Sequence, residues 1–274
     1  MKLYTPVLLI TLLGAALLAR EGWFSHDADR AADLPVPPTV IVPAMRLDYR
    51  PAGQYQTARQ VIDPPLDTRA MPPLAVMETH VSEALYGLCV DDGACRPAPG
   101  RGRDDHAQVF VSFADTEQFA LWLADRTGTD WRLPTDREWA QLAAEAFHDD
   151  ALGIDGGPAD PAARWLAAYE SQFAQRGDAD GTHHPLGHFG ANSLGVRDLG
   201  GNIWEWTQSC NERVTLGPDR SAVLSKVENC GVRVAQGRHR AYIIDFVRDA
   251  RGGGCAIGIP PDYLGIRLVH SLDG

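Results

Sequence analysis

Three histidines stand close together in the segment THHPLGH, at positions 183, 184 and 188. Imidazole nitrogens are good ligands for iron and copper, so this spacing could hold a transition metal. The segment lacks the helical periodicity of the common metal motifs, and no carboxylate stands at a clear ligand spacing from it. We therefore interpret His183, His184 and His188 as solvated loop histidines, with an iron or copper site as the alternative.

Five arginines fall within nineteen residues of an otherwise acidic chain: Arg233, Arg238, Arg240, Arg248 and Arg251. Guanidinium groups form bidentate hydrogen bonds with carboxylates, so this cluster could bind a peptide. The alternative is a solvated strand face whose arginines pair with the chain's own excess carboxylates. The sequence leaves both interpretations open.

The chain of 274 residues has a formal net charge of −11. This charge argues against nucleic acid or an anionic membrane surface as the main partner. The first twenty residues are different in kind, because Lys2 precedes an uncharged apolar run that suits a secretory signal and is short for a membrane span. We expect residues 1–20 to be a signal peptide, or a membrane anchor if uncleaved, and the proline-ended residues 21–38 to be a linker. Export predicts a periplasmic or secreted protein.

Export also affects how the five cysteines are interpreted, because disulfides persist outside the cytosol. Cys89 and Cys95 flank a DDG turn that could fold one onto the other, which predicts a bond between them. Of the remaining three, we favour a bond between Cys210 and Cys230. For Cys255, which glycines flank, we favour a structural role in which it pairs with Cys210 or Cys230 and leaves another cysteine over, and the alternative is an exposed nucleophile.

Capping signals and periodicity indicate few regular elements. Residues 39–50 alternate well enough for one strand. Ser82, Ser112 and Thr135 each precede an apolar helical stripe and predict helix N-termini, the last two with a carboxylate three residues later. A short strand is predicted just before Ser112. After residue 150 the chain is rich in turns, with RVAQG and YLGIRLVH as brief strands, which favours an irregular α+β domain.

Four motifs in order resemble those of the formylglycine-generating enzyme family, also called the sulfatase-modifying-factor family. WRLPTDREW, NSLGVRDLGGNIWEW, RVAQG and LGIRLV are similar to that family's RLPTEAEWE, its Gly-Asn-Val-Trp-Glu-Trp segment, its RGGSW and its terminal GFR. VSFADTEQFALWL resembles a further family segment. The resemblance covers residues 39–272 and implies a loop-rich C-type-lectin-like fold of the formylglycine-generating-enzyme type.

The resemblance also implies a structural calcium ion, with Asp198, Gly201, Ile203 and Glu205 as its ligands. The chemistry is compatible, because calcium takes six to eight oxygen ligands and accepts backbone carbonyls from a tightly curled loop. The alternative for Glu205 is an ion pair with an arginine such as Arg248. A second calcium site of the family would correspond to a region near residues 180–182.

The family's catalytic pattern is broken in this sequence. The enzyme that it resembles oxidises a client cysteine with oxygen and a copper ion held by two cysteines, since thiolates suit Cu(I). The corresponding positions fall near His239 and Ile244, neither of which is cysteine. Cys255, His239, Arg248 and Arg251 are therefore the weak catalytic candidates, and iron or copper is the transition metal to be tested.

The resemblance extends to members that act in the periplasm, including proteins that mature a siderophore or accompany nitrite-reductase systems. We expect this chain to be an exported maturation or accessory factor that acts on a client protein or peptide, with metal-dependent oxidation as its chemistry. The alternative is a non-catalytic, lectin-like module that binds a peptide or ligand. A true formylglycine synthase is the remote alternative.

Overall fold

The computed structural model describes residues 34–58, 60–100, 102–152, 182–244 and 260–272, with positions 162, 166, 167, 169 and 170. The chain divides into two units, residues 1–36 and 37–274. The predicted signal peptide at 1–20 and most of the predicted linker lie outside the described residues. None of the described helices is long and apolar enough to span a bilayer.

The strands of the N-terminal half belong to three different sheets. Their bounds, with those of the last strand of the chain, are β1 Thr39–Val42, β2 Met45–Tyr49, β3 Gln54–Gln56, β4 Val61–Ile62, β5 Asp67–Met71, β6 Leu74–Met77 and β11 Val269–Ser271. Pro43 follows β1 directly, and the chain then enters another sheet as β2, so the single strand predicted over 39–50 is two strands. Proline cannot donate to a ladder and therefore ends the pairing. β1 and β11 pair with the two edges of β6, β2 pairs with β5, and β3 and β4 join the largest sheet.

Three helices begin where the sequence predicts. The Ser82 hydroxyl caps the first helix by accepting the backbone N–H of the third residue after it. The other two have reciprocal capping boxes, Ser112 with Asp115 and Thr135 with Glu138, which satisfy amides that the first helical turn leaves unpaired. The bounds are α1 Glu83–Asp91, α2 Phe113–Thr127 and α3 Asp136–Ala143, followed by a 3-10 turn at Ala144–Ala146.

The short strand predicted before Ser112 does not form. Ala107 makes an isolated bridge to Ser82, and Phe110 has a φ of 59°, which breaks the extended backbone.

A long hairpin dominates the second half, where only brief strands were predicted. β7 (Trp204–Leu216) pairs antiparallel with β8 (Val223–Gln236), and β3 and β10 (Leu264–Gly265) run parallel beside β7. β9 (Ala241–Ile244) pairs with the inner end of β8. Residues 223–231 are all exposed, so this part of β8 has no alternation of buried and exposed residues for a sequence pattern to reveal.

The core packs on both sides of the start of β7. On one side, Trp139 of α3 packs against β1, β6 and β11. On the other side, the Trp206 ring meets Phe113 edge-on at 5.9 Å and its indole N–H donates to the carbonyl of Val111 at 2.9 Å. Both indoles are fully buried. Glu205 therefore enters the interior between the packing of Trp139 on one side and that of Trp206 on the other.

Candidate functional site

Glu205 is completely buried, and three side chains from distant segments bind its carboxylate. Arg267 Nε lies 3.1 Å from both carboxylate oxygens, and Nη2 lies 3.0 Å from Oε1. His80 Nε2 lies 2.7 Å from Oε1, and the Trp139 indole N–H donates to Oε2 at 2.7 Å. Glu205 is thus in a buried ion pair with Arg267 of the LGIRLV motif. Arg248, the arginine named as an example from the sequence, lies outside the described residues.

Arg267 uses its remaining N–H groups on backbone carbonyls. Nη1 donates to the carbonyls of Met77 and Glu78 at 3.0 and 2.9 Å, and Nη2 donates to that of Arg197 at 2.7 Å. One carboxylate and three carbonyls from three segments therefore surround the buried guanidinium. Carbonyl and carboxylate oxygens are also the ligands that surround a hard cation such as calcium.

The charges in this cluster are set by burial and by Arg267. Burial alone would raise the pKa of Glu205, but the contacts with Arg267 and His80 outweigh burial and lower it to about 2. Burial, reinforced by Arg267, lowers the pKa of His80. His80 is therefore neutral at neutral pH and donates Nε2–H to Glu205, while its buried Nδ1 has no hydrogen-bond partner within the described ranges.

These contacts do not fit a calcium ion held by Asp198, Gly201, Ile203 and Glu205. The carboxylate of Glu205 faces a guanidinium, and a second cation at the same oxygens would be repelled by the first. The carboxylate of Asp198 accepts the backbone N–H groups of residues 187 and 189 at 2.5 and 2.9 Å. The two carboxylates therefore hold the turn through N–H donors, and we derive no role for calcium at these residues.

An aromatic corner surrounds His239, the one predicted catalytic residue that the structure describes. The Trp204 ring lies edge-on to His239 and to Tyr263, with centroid distances of 5.4 and 5.6 Å. His239 Nδ1 lies 2.9 Å from the carbonyl of Arg240, so Nδ1 carries the proton and Nε2 keeps a lone pair when the ring is neutral. Tyr263 is 43% exposed, so the corner is open to solvent.

Gly237 makes this corner possible. A Cβ at position 237 would lie 2.7 Å from the Trp204 ring, closer than any side-chain carbon can approach. The Trp204 indole N–H donates to the carbonyl of His239 at 3.2 Å, which fixes the indole against the connection between β8 and β9. The RVAQG motif therefore positions Trp204 through its glycine.

The described residues around His239 do not complete a metal site. Ile244 ends β9 with a hydrocarbon side chain, which cannot bind a metal. Arg248, Arg251 and Cys255 lie outside the described residues. Of the metal ligands considered at these positions, the described residues offer one, the imidazole of His239. A single imidazole does not fit the two-thiolate copper site of the family that the sequence resembles.

Arg240 belongs to a second buried ion cluster that the sequence analysis missed. Its Nη2 lies 3.0 Å from Asp136 Oδ2, and its Nη1 binds Asp150. The Tyr49 hydroxyl and the Gln236 amide also donate to Asp136. Arg240 therefore pairs with the chain's own carboxylates, but in the interior and not on a solvated strand face. The pair anchors the backbone next to His239 to the start of α3.

The three clustered histidines are held in a loop beside the Gly-Gly-Asn segment. The rings of His184 and His188 stack with centroids 4.0 Å apart, and Phe189 packs edge-on against both. His183 is buried. Within the described part of the chain, the one cluster of three His, Cys, Asp or Glu side chains with metal-like spacing is Cys210, Glu228 and Cys230.

Both predicted disulfides are confirmed, Cys89–Cys95 and Cys210–Cys230. Two disulfides are typical of proteins outside the cytosol. The sulfurs of the Cys-Glu-Cys cluster are therefore bonded to each other.

Comparison with known proteins gives one consistent family. A family model described as "Sulfatase-modifying factor enzyme 1-like domain" matches residues 25–272. A formylglycine-generating enzyme of Thermomonospora curvata is 29% identical over 145 residues, 49% of this chain and 45% of that protein. One of Mycobacterium tuberculosis is 33% identical over 126 residues, 42% of this chain and 39% of that protein. The matches thus span less than half of these relatives.

Solved structures confirm the fold. PvdO from Pseudomonas aeruginosa aligns with a TM-score of 0.53 and 19% identity, over 86% of this chain and 95% of that one. CarF aligns with a TM-score of 0.51 and 16% identity, over 88% of this chain and all of that one. The predicted loop-rich α+β fold is confirmed, and the chain belongs to the sulfatase-modifying factor enzyme 1-like family.

Proposed function

We propose that this chain is an exported maturation or accessory factor that acts on another protein, and that Trp204, His239 and Tyr263 bind a segment of that client. The observation that carries the proposal is the solvent-open corner in which Nδ1 of His239 is tied to a carbonyl, while Nε2 is an acceptor with no hydrogen-bond partner among the described residues. Aromatic rings pack on apolar side chains, and a fixed acceptor orients a backbone N–H or a hydroxyl. These are the elements of a polypeptide-binding site.

Membership in a family described as sulfatase-modifying supports action on another protein. Export is supported by the apolar run in residues 1–20 and by the two disulfides. It is tested by fractionating cells that express the full chain and a variant lacking residues 1–20. Recovery of both in the cytosol with reduced cysteines would contradict export.

We propose metal-dependent oxidation of the client as the chemistry of this factor. His239 and Ile244 do not form the cysteine pair that holds copper in the family, so the described residues provide no copper site of that kind. Ile244 specifically favours the second candidate function, a binding module without catalysis, and it also argues against a true formylglycine synthase.

The experiment uses a photo-crosslinking amino acid at position 263, in the complete chain expressed with its export signal. We expect one dominant exported client, crosslinked through a single peptide, and loss of that crosslink in Trp204→Leu. As a control, the same photo-crosslinking amino acid replaces Leu121, which is 67% exposed on α2. Crosslinks from position 121 report random collisions with other proteins. Identical client patterns from positions 121 and 263 would refute the binding site.

The crosslinked peptide, once synthesised, distinguishes the two candidate functions. Incubation with the protein in air, with and without added iron or copper, followed by mass spectrometry, reports any covalent change in the peptide. An oxidised product that depends on His239 supports a maturation enzyme. Saturable binding with no change in mass supports the binding module.

A further inference from the structure

We propose that the Cys210–Cys230 disulfide is a thiol-exchange site, in which a thiolate attacks Cys230 and Cys210 leaves as the thiolate. Its substrate class is a thiol, most simply a dithiol peptide or a cysteine of a client protein. This exchange site is separate from the aromatic corner, and thiol exchange does not require a client to bind there.

The two sulfurs of this bond have different surroundings. Cys230 lies in the exposed part of β8, residues 223–231, whereas Cys210 on β7 is 8% exposed. Exchange proceeds by attack of a thiolate on one sulfur and expulsion of the other, so access decides which sulfur is attacked. Solvent reaches Cys230, and the displaced sulfur faces the protein.

Arg233 is positioned to stabilise that displaced sulfur. Its Nη1 lies 3.2 Å from Cys210 Sγ and donates to the carbonyl of Gln208 at 2.8 Å, and its guanidinium stacks 3.8 Å from the Phe113 ring centroid. Among the residues that the structure describes, no carboxylate lies within ion-pair distance of Arg233. A cation beside a cysteine lowers the thiol pKa, and a thiol of lower pKa is the better leaving group.

Glu228 is the group that opposes this effect. Its carboxylate lies within 4.8 Å of both sulfurs, and a negative charge disfavours a thiolate. Glu228 is exposed, so water and salt screen its charge, whereas Arg233 contacts Cys210 directly. The closer and less solvated charge dominates at Cys210.

The Cys210–Cys230 disulfide is itself the oxidant of this exchange. The attacking thiolate forms a bond to Cys230 Sγ, the S–S bond breaks, and its electron pair stays on Cys210 Sγ. When the attacker is a dithiol, its second thiolate attacks the mixed disulfide and releases Cys230. The dithiol is then oxidised by two electrons to a disulfide, and Cys210 and Cys230 carry the two electrons and two protons as thiols.

The chain contains its own reference bond. Cys89 and Cys95 are 0% and 6% exposed, so neither sulfur is presented to a thiol in solution. Neither has an arginine N–H on its sulfur among the described contacts. Cys89–Cys95 is therefore an internal control, and a faster exchange at Cys210–Cys230 can be attributed to the surroundings of that bond.

The test treats the oxidised full-length protein with limiting glutathione, quenches it with an alkylating reagent at set times, and maps each cysteine by mass spectrometry. We expect exchange at Cys210–Cys230 at least about tenfold faster than at Cys89–Cys95, with glutathione attached to Cys230. Cys255 is followed as a separate peptide. Equal rates for the two bonds, or glutathione attached mainly to Cys210, would overturn the proposal.

A matched pair of variants isolates Arg233. Arg233→Gln should slow the exchange by about tenfold, and Arg233→Lys should restore part of the rate, because the effect depends on the positive charge. Arg213→Gln, an exposed arginine on the same hairpin, is the control and should leave the rate unchanged. As a measurement that needs no Arg233 variant, the alkylation rate of Cys210 in Cys230→Ser should titrate below the ordinary thiol range. An ordinary titration, or equal slowing in the Arg213 and Arg233 variants, would contradict the assignment.

Discussion

Replacing Arg267 with methionine should destabilise the fold by about 3 kcal/mol at pH 7. The variant removes the guanidinium and keeps an apolar stem of similar length, so Glu205 loses its countercharge while the core stays filled. Although burial raises the pKa of Glu205, its partners, Arg267 foremost, lower it from 4.5 to about 2, which corresponds to about 3 kcal/mol of net stabilisation of the ionised carboxylate. This agrees with the ~3–5 kcal/mol lost when one partner of a buried pair is removed. Three carbonyls also lose their donor, which adds to the cost.

The pH dependence carries the specific signature of this pair. In the unchanged protein the folded-state pKa of Glu205 lies below its unfolded value. Its stabilising contribution is therefore complete above about pH 4.5 and is lost as the pH falls toward 2. In Arg267→Met burial is unopposed and raises the pKa of Glu205, so protonation relieves the buried charge. The stability difference between the two proteins should therefore narrow as the pH falls from 8 to 5.

The assay is denaturant unfolding at several pH values, with a double-mutant cycle through Glu205→Gln. Lys226→Met is the control, because Lys226 forms its ion pair with Glu212 at the surface, where such pairs contribute about 1 kcal/mol or less. A loss in Arg267→Met no larger than in Lys226→Met, or a difference that stays constant with pH, would refute the description of the Glu205 cluster.

Three further predictions concern the metal, acid and the helix caps. If Arg267 takes the place of a hard cation, any rise in melting temperature with calcium should be the same in Glu205→Gln as in the unchanged protein. A calcium response that Glu205→Gln abolishes would instead support a calcium site at Glu205. Because burial lowers the pKa of His80 below its unfolded value near 6.5, the unfolded state takes up a proton first. Stability should therefore decline as the pH falls below 6.5, and His80→Asn should flatten that decline in urea titrations. Thr135→Ala removes one half of a capping box and should cost about 1 kcal/mol by the same unfolding assay, while an unchanged midpoint would show that the cap is dispensable.

Local signals predicted the parts of the fold that depend on neighbours in sequence. The helix starts at Ser82, Ser112 and Thr135 were predictable because a capping hydroxyl and its amide lie within three residues of each other. The Cys89–Cys95 bond was predictable for the same reason, since a short turn connects its ends. The long β7–β8 hairpin was not, because its exposed half lacks the alternation that marks a half-buried strand.

By itself, the sequence identified the family through four ordered motifs and singled out Glu205 and His239 as the residues to examine. It could not identify the partners of Glu205, because His80, Trp139 and Arg267 are separated from it by 125, 66 and 62 positions. Only the tertiary structure brings them within hydrogen-bond distance, and burial then makes an ion pair the state in which that carboxylate is stable. The calcium ion that the resemblance implies stays a prediction to be tested. What the tertiary structure decides is that Arg267 supplies the positive charge that a buried carboxylate needs to stay ionised.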